Sequence, residues 1–186
     1  MRQRVAVRLC ALLLSLSFHG EALGQVGAGD PAPDFTLLDV QGTPLTLSSF
    51  RGKVVLLGLI GYACAPCVQA APSVEQIWRD FSGTGAFQTL ALDMWNGTVS
   101  LVQSFIDQTG VTFPVLRDAG FLQGSSFYGI QFDNYVVIDP TGVIRYTSVD
   151  EASGSFNDAA IRAAIAASLP VAVQSTTWSG IKELYR

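Results

Sequence analysis

Apolar and polar positions along the 186-residue chain fall into short blocks whose period changes several times. The clearest block is "VVLLGLIG", residues 54–61, which has no polar side chain. Its length and uniform apolarity suit a strand buried on both faces of a sheet. Before it, "GAGDPAPD" is rich in Gly and Pro and reads as an irregular lead-in. "FTLLDV" then reads as a short strand, "QGTP" as a turn, and "LSSFRGK" as a single helical turn or loop. After the apolar block the period lengthens. Val68, Ala71, Val74, Ile77, Trp78 and Phe81 recur three and four apart, which predicts a helix from Cys67 to about Phe81. Pro72 falls inside it and predicts a kink.

"FQTLALDMW", residues 87–95, reads as the next strand. Residues 98–110 read as a helix, with Thr98 as a possible N-cap and Gly110 as its C-terminal stop. "FPVLRD" is a short extended piece. "NYVVID", the turn "PTG" and "VIRYTSV" form a hairpin, and residues 157–169 an alanine-rich helix capped by Asn157 or Ser155 and ended by Pro170. Strand, helix, strand and helix followed by a hairpin and a helix predict an α/β domain with a mixed central β-sheet flanked by helices.

The two ends of the chain read differently. "MRQRVAVR" carries Arg2, Arg4 and Arg8, "LCALLLSLSF" is too short to span a bilayer, and "ALG" offers small residues for cleavage. Residues 1–24 therefore read as a secretory signal peptide, residues 25–170 as the domain, and residues 171–186 as a C-terminal tail. In that tail Trp178, Ile181, Leu184 and Tyr185 could line a short helix packed on the domain. The expected location is exported, periplasmic or extracellular. Cleavage would remove three of the eleven Lys and Arg and one of the fifteen Asp and Glu, leaving a net charge near −6. Such a surface has nothing to offer nucleic acid or an anionic membrane. No later run is long enough to span a membrane.

The same cut removes Cys10 and His19, leaving Cys64 and Cys67 and no histidine. Two cysteines alone are too few for a structural zinc site, so no metal and no cofactor are expected. A c-type haem needs histidine after the second cysteine, where Val68 stands. A histidine-assisted hydrolase would have no base. Thiol–disulfide chemistry or an inert bridge remains for "CAPC". At a strand-to-helix junction the first cysteine meets the helix N-terminus, whose unpaired amides and dipole favour a thiolate. This makes Cys64 the attacking thiolate and Cys67, one turn on, the cysteine that resolves the mixed disulfide. Pro66 sets φ at the helix start and has no N–H to leave unpaired. Tyr62, Ala63, Ala65 and Pro66 complete the loop. A bridge this short would remove little chain entropy as a staple.

The stretches "GDPAPDFTLLDVQGTPLTLSSFRGKVVLL", "CAPCVQAAP", "FPVLRD" and "VVIDPTGVI" resemble the TlpA/ResA-like branch of the thioredoxin superfamily, within the AhpC/TSA redoxin group. The resemblance spans residues 29–169. It implies a thioredoxin-like fold with an added N-terminal strand pair, Cys64 as nucleophile and Cys67 as resolving cysteine. It also implies partners among extracytoplasmic protein thiols and disulfides, apocytochrome thiols being one class, and a redox partner protein; a monomer is expected. Four positions differ from the family pattern. Ala63 stands where Trp is usual, and Gly58 and Ala70 stand where family carboxylates occur. Asp133 stands where a cis-proline usually faces the cysteines. Trp95, Asp133 and Asn134 are the expected substrate-groove residues.

Two other functions compete. A thiol peroxidase of the peroxiredoxin kind would need Pro and Thr at set places before its cysteine, and residues 57–63 carry neither. A binding module with a static disulfide would be consistent with the missing proline, Trp and carboxylates. Trp95 also reads as rim packing, Tyr62 as a shield over the pair, and Asp118, Asp133 and Asp150 as a solvated face.

Overall fold

The structure is a computed structural model, and it describes residues 26–123, 133–148 and 156–170. The expected signal segment and the C-terminal tail lie outside these residues, as do Ser155 and Asp150.

Strands β1 (Thr36–Leu38) and β2 (Pro44–Thr46) form an antiparallel hairpin. A 3-10 turn at Leu47–Phe50 follows, where the sequence suggested one helical turn. The central sheet holds β3 (Val54–Ile60), β4 (Phe87–Asp93), β5 (Val115–Leu116), β6 (Asn134–Ile138) and β7 (Ile144–Thr147) in the order β5-β4-β3-β6-β7. β3, β4 and β5 run parallel; β6 is antiparallel to β3, and β7 to β6. Every residue of β3 is buried, as its uninterrupted apolarity requires of a strand covered on both faces. An isolated bridge from Asp39 to Leu116 sets the end of the hairpin against the β5 edge.

Three helices complete the layers: α1 (Ala65–Ser82), α2 (Val99–Thr109) and α3 (Asp158–Ser168). Thr98 caps α2 by accepting the Leu101 N–H, and Gly110 ends it in the left-handed conformation at φ 69°. Asn157 caps α3 through the Ala160 N–H. The apolar faces of α1, α2 and α3 pack with Val54, Leu56 and Ile60 on one side of the sheet. The alternate residues of β3, Val55, Leu57 and Leu59, join Leu90 and Leu92 in the opposite core, closed by Phe35, Leu37 and Leu47.

α1 differs from expectation in two ways. It begins two residues early, at Ala65, because Cys64 acts as its cap. It also buries Glu75, a charged residue on a face predicted to be apolar. The helix is continuous through Pro72. A second 3-10 turn, Ala119–Gln123, was not anticipated.

Candidate active site

β3 delivers the chain to the middle of one sheet edge at Ile60, and the cysteine loop follows at once. Cys64 is extended (φ −73°, ψ 109°) and caps α1. Its Sγ accepts the Cys67 N–H at 3.2 Å, and its carbonyl accepts the Val68 N–H at 3.0 Å. Pro66, second in the helix, adds no orphan N–H, and the first turn of α1 holds no acidic residue to oppose the dipole. Cys64 and Cys67 form a disulfide with Cα atoms 5.2 Å apart, an ordinary span for such a bond. Ala63, Ala65 and Pro66 are exposed around it. An attacking Cys64 would carry the more exposed sulfur of the pair. The two residues are instead 2% and 1% exposed, too close to separate them.

Beside the pair stands a unit built on Asp93, the last residue of β4. Asp93 is fully buried, and its carboxylate accepts from the backbone of Tyr62 (3.1 Å), Trp95 (3.4 Å) and Gly97. Burial raises its pKa above 3.8 despite these three donors, and the Asp118 charge adds to the rise. Tyr62 meets Trp95 edge to face, with centroids 5.7 Å apart and ring planes at 89°. Glycine is required on both loops. A Cβ at Gly61 would lie 2.4 Å from the Trp95 ring, and one at Gly97 would lie 2.6 Å from Tyr62. Asn96, at φ 54°, accepts the Gly120 N–H at 2.8 Å and so ties this turn to Ala119–Gln123. Trp95 keeps 37% of its surface exposed at the rim.

On the other flank, Asp133 enters β6 with φ 68° and donates its N–H to the Leu59 carbonyl at 2.7 Å. It lines a groove of about 270 Å³ with Pro66, Gln69, Ala70, Ser73 and Phe156. Asp133 is thus half-buried beside the cysteine loop and does not belong to a solvated face. Among the described residues there is no cis peptide bond. The Tyr135 hydroxyl donates to Asp133 Oδ1 at 3.4 Å; burial raises both groups, and the nearby carboxylate raises Tyr135 further. Asn134, expected in the groove, is instead turned inward. It is 2% exposed, and its Oδ1 accepts the Ser148 hydroxyl, because neighbouring strand residues face opposite sides.

Cys67 borders a small cavity of about 10 Å³ on its inner side, shared with Gly58, Ala71, Phe105, Phe113 and Tyr135. Among the described residues no carboxylate lines it. The Tyr135 ring packs 3.4 Å from where a Cβ at Gly58 would stand, filling the space of a side chain there. Glu75 lies further along α1 and serves a different purpose. It accepts from Thr112 N–H (2.8 Å) and Oγ1 (2.9 Å) and from Arg79 Nε (2.8 Å). These bonds outweigh its burial and lower its pKa while fixing α1 to the segment before β5. Sequence reading missed both buried acids. For Asp93, the one available signal was an acidic residue closing an apolar strand. Among the described residues no group of three or more His, Cys, Asp or Glu is placed to hold a metal ion.

Known proteins resemble this arrangement in sequence and in shape. The thiol-disulfide oxidoreductase ResA of Geobacillus kaustophilus is 31% identical over 125 residues, covering 63% of this chain and 71% of that protein. A candidate thiol:disulfide interchange protein DsbE from Chlorobium tepidum superposes with a TM-score of 0.66 at 27% identity, over 78% of this chain and 100% of that one. The thioredoxin domain of a Bacteroides vulgatus thiol-disulfide oxidoreductase superposes at 0.60 with 19% identity, over 66% and 89%. The fold is thioredoxin-like, with the β1–β2 hairpin added. The Redoxin family matches residues 27–165, from before β1 into α3 with Cys64 and Cys67 inside, and the chain belongs to that family.

Proposed function

We propose that this protein is an exported thiol–disulfide oxidoreductase that exchanges electrons with disulfides of other extracytoplasmic proteins through Cys64 and Cys67. The observation that carries the reading is the Cys67 N–H directed at Cys64 Sγ from the first turn of α1. In the reduced protein that donor, with the helix terminus behind it, favours the Cys64 thiolate over the thiol. The ResA and DsbE names of the relatives point to the same chemistry. Export rests on the charged, apolar and small-residue order of residues 1–24. No helix among the described residues is long and apolar enough to cross a membrane.

The exchange runs in two steps. Cys64 thiolate attacks one sulfur of the substrate disulfide; an S–S bond forms to Cys64 and the other substrate sulfur leaves as thiolate. Cys67 then gives its proton to solvent and attacks Cys64 Sγ. The second substrate sulfur leaves, and both substrate thiolates take up protons. Two electrons have moved to the substrate, and the Cys64–Cys67 disulfide has formed. A dithiol partner protein restores the reduced pair by the reverse exchange. Pro66, Ala63 and Ala65 give the substrate an exposed, uncharged approach. Trp95 and Asp133 bound it on either side.

The near-complete burial of both cysteines favours a second reading, a static disulfide in a binding module. One variant pair separates the two. Cys67→Ser should accumulate mixed disulfides with other proteins, and Cys64→Ser should not. Trapping by neither variant would leave the static bridge. Trapping by Cys64→Ser alone would reverse the two roles.

A further inference from the structure

Asp93 takes no part in the exchange just described, yet it is fully buried within the loops that frame it. A carboxylate shut from water is costly unless every lone pair it turns inward is used. Here both oxygens are committed. Oδ1 accepts from Tyr62 and Trp95, and Oδ2 accepts from Gly97. The three amides belong to two loops, the one that leads into the cysteines and the one that follows β4. The same two loops are interlocked by rings, Trp95 over Gly61 and Tyr62 over Gly97. Only a carboxylate fits this cradle. An amide of the same shape has one acceptor oxygen, so its NH2 group would face either the Gly97 N–H or the Tyr62 and Trp95 N–H groups.

We propose that Asp93 is a positioning residue that holds the Tyr62–Trp95 pair as an aromatic rim, against which apolar segments of a protein substrate bind beside the cysteine pair. The proposal rests on the thiol–disulfide reading for its substrate. The positioning itself does not depend on it. Asp93 touches neither sulfur; it acts through the two loops. Trp95, at 37% exposure, is the ring presented to the substrate.

The test uses the full chain with Asp93→Asn, and Asp93→Ser as a second variant that retains an acceptor of smaller size. Trp78→Phe and Trp178→Phe are added so that Trp95 reports alone. Two quantities are read: acrylamide quenching of Trp95 fluorescence, and the kinetics of insulin disulfide reduction. Asp93→Asn is expected to raise the quenching constant about twofold and KM for insulin about tenfold, with kcat changed less than threefold. Trp95→Leu should raise KM similarly, and adding Asp93→Asn to it should give little more. Unchanged quenching and KM in both Asp93 variants would overturn the proposal. So would equal falls in kcat and kcat/KM, or effects of Asp93→Asn and Trp95→Leu that simply multiply, since a merely structural role gives those results. If the parent protein reduces no insulin, the thiol–disulfide reading fails by itself, and the quenching result still decides whether Asp93 positions Trp95.

Discussion

Asp93 and Asp139 stand at opposite ends of the central sheet, and each is a buried aspartate cradled by backbone amides. Asp93 closes β4 at the cysteine end. Asp139 follows β6 at the far end, where its Oδ1 accepts from Thr141 N–H (2.8 Å), Thr141 Oγ1 (2.7 Å) and Val143 N–H (3.0 Å). The hydrogen bonds are comparable, but the electrostatics are not. Asp139 Oδ2 also meets the Arg145 guanidinium, at 2.8 Å from Nε and 2.6 Å from Nη2. Its pKa is held at about 2, whereas Asp93, with no cation bonded to it among the described residues, is raised. Burial raises both carboxylates; at Asp139 the Thr141 hydroxyl, the Val143 amide and the Arg145 guanidinium together outweigh it, whereas at Asp93 the amides do not.

Backbone conformation separates the same two ends. Around the far end, left-handed positions at 52, 85, 110 and 142 are all glycine. Among the described residues, the left-handed positions other than glycine, Asn96, Asp118 and Asp133, flank the cysteine end. Left-handed backbone costs a residue with a side chain on the order of 1 kcal/mol, least for Asn and Asp. One end of this molecule is built for stability. The other carries a buried carboxylate with no cation bonded to it among the described residues, and three costly backbone positions where the sequence could have used glycine. Departures from local rules of this kind gather at functional sites.

The largest expected effect lies at the far end. Asp139→Asn removes the ion pair and turns an NH2 group toward Arg145 or toward the Thr141 and Val143 amides. It should cost about 2 kcal/mol in a urea melt and leave the Cys64–Cys67 potential within error. Its pH dependence follows from a depressed folded pKa. The Asp139 contribution is complete above the ordinary value of 3.8 and is lost as pH falls through about 2. The acid limb of the stability curve should therefore flatten in the variant. The raised aspartates act in the opposite sense. Asp93 and Asp133 bind protons more readily folded than unfolded, so acidification toward 3.8 relieves their burial cost. An Asp139→Asn curve that parallels the parent's between pH 4 and pH 2 would break the comparison.

A smaller effect is expected on the cysteine side. Asp133 borders the groove at Pro66, and a carboxylate near Cys64 opposes its thiolate. Asp133→Asn should raise the alkylation rate of Cys64 about threefold near pH 7, corresponding to about half a pKa unit, and less at high salt. Asp150→Asn should do little. Asp133→Pro is a poor substitute for this test. Proline cannot adopt a φ of 68°, and it would remove the N–H that Asp133 gives to Leu59. An unchanged rate and thiol pKa in Asp133→Asn would remove Asp133 from the electrostatics of the pair.

Much of this arrangement was legible in the chain because it depends on near neighbours. Thr98 and Gly110 bracket α2 through bonds that reach three or four residues, and "VVLLGLIG" could scarcely be anything but a doubly covered strand. "CAPC" was legible for the same reason, since its strand, cap and helix are contiguous. What escaped depends on partners distant in sequence. Glu75 is buried because Thr112, 37 residues away, satisfies it. Asp93 reaches Tyr62 across 31 residues, and a strand-terminal acid looks the same whether it meets water or amides. Asn134 was expected in the groove beside Asp133, but adjacent residues of a strand face opposite sides, and position along the chain alone does not say which.

The most direct test of the central claim is equilibrium reduction of the native protein in glutathione or dithiothreitol buffers, followed by mass spectrometry. The account predicts a gain of two thiols at Cys64 and Cys67 under mild reduction, a single reversible two-electron transition, and no unfolding. A pair that stays oxidised until the protein is denatured would contradict it, and would make the disulfide a structural bridge.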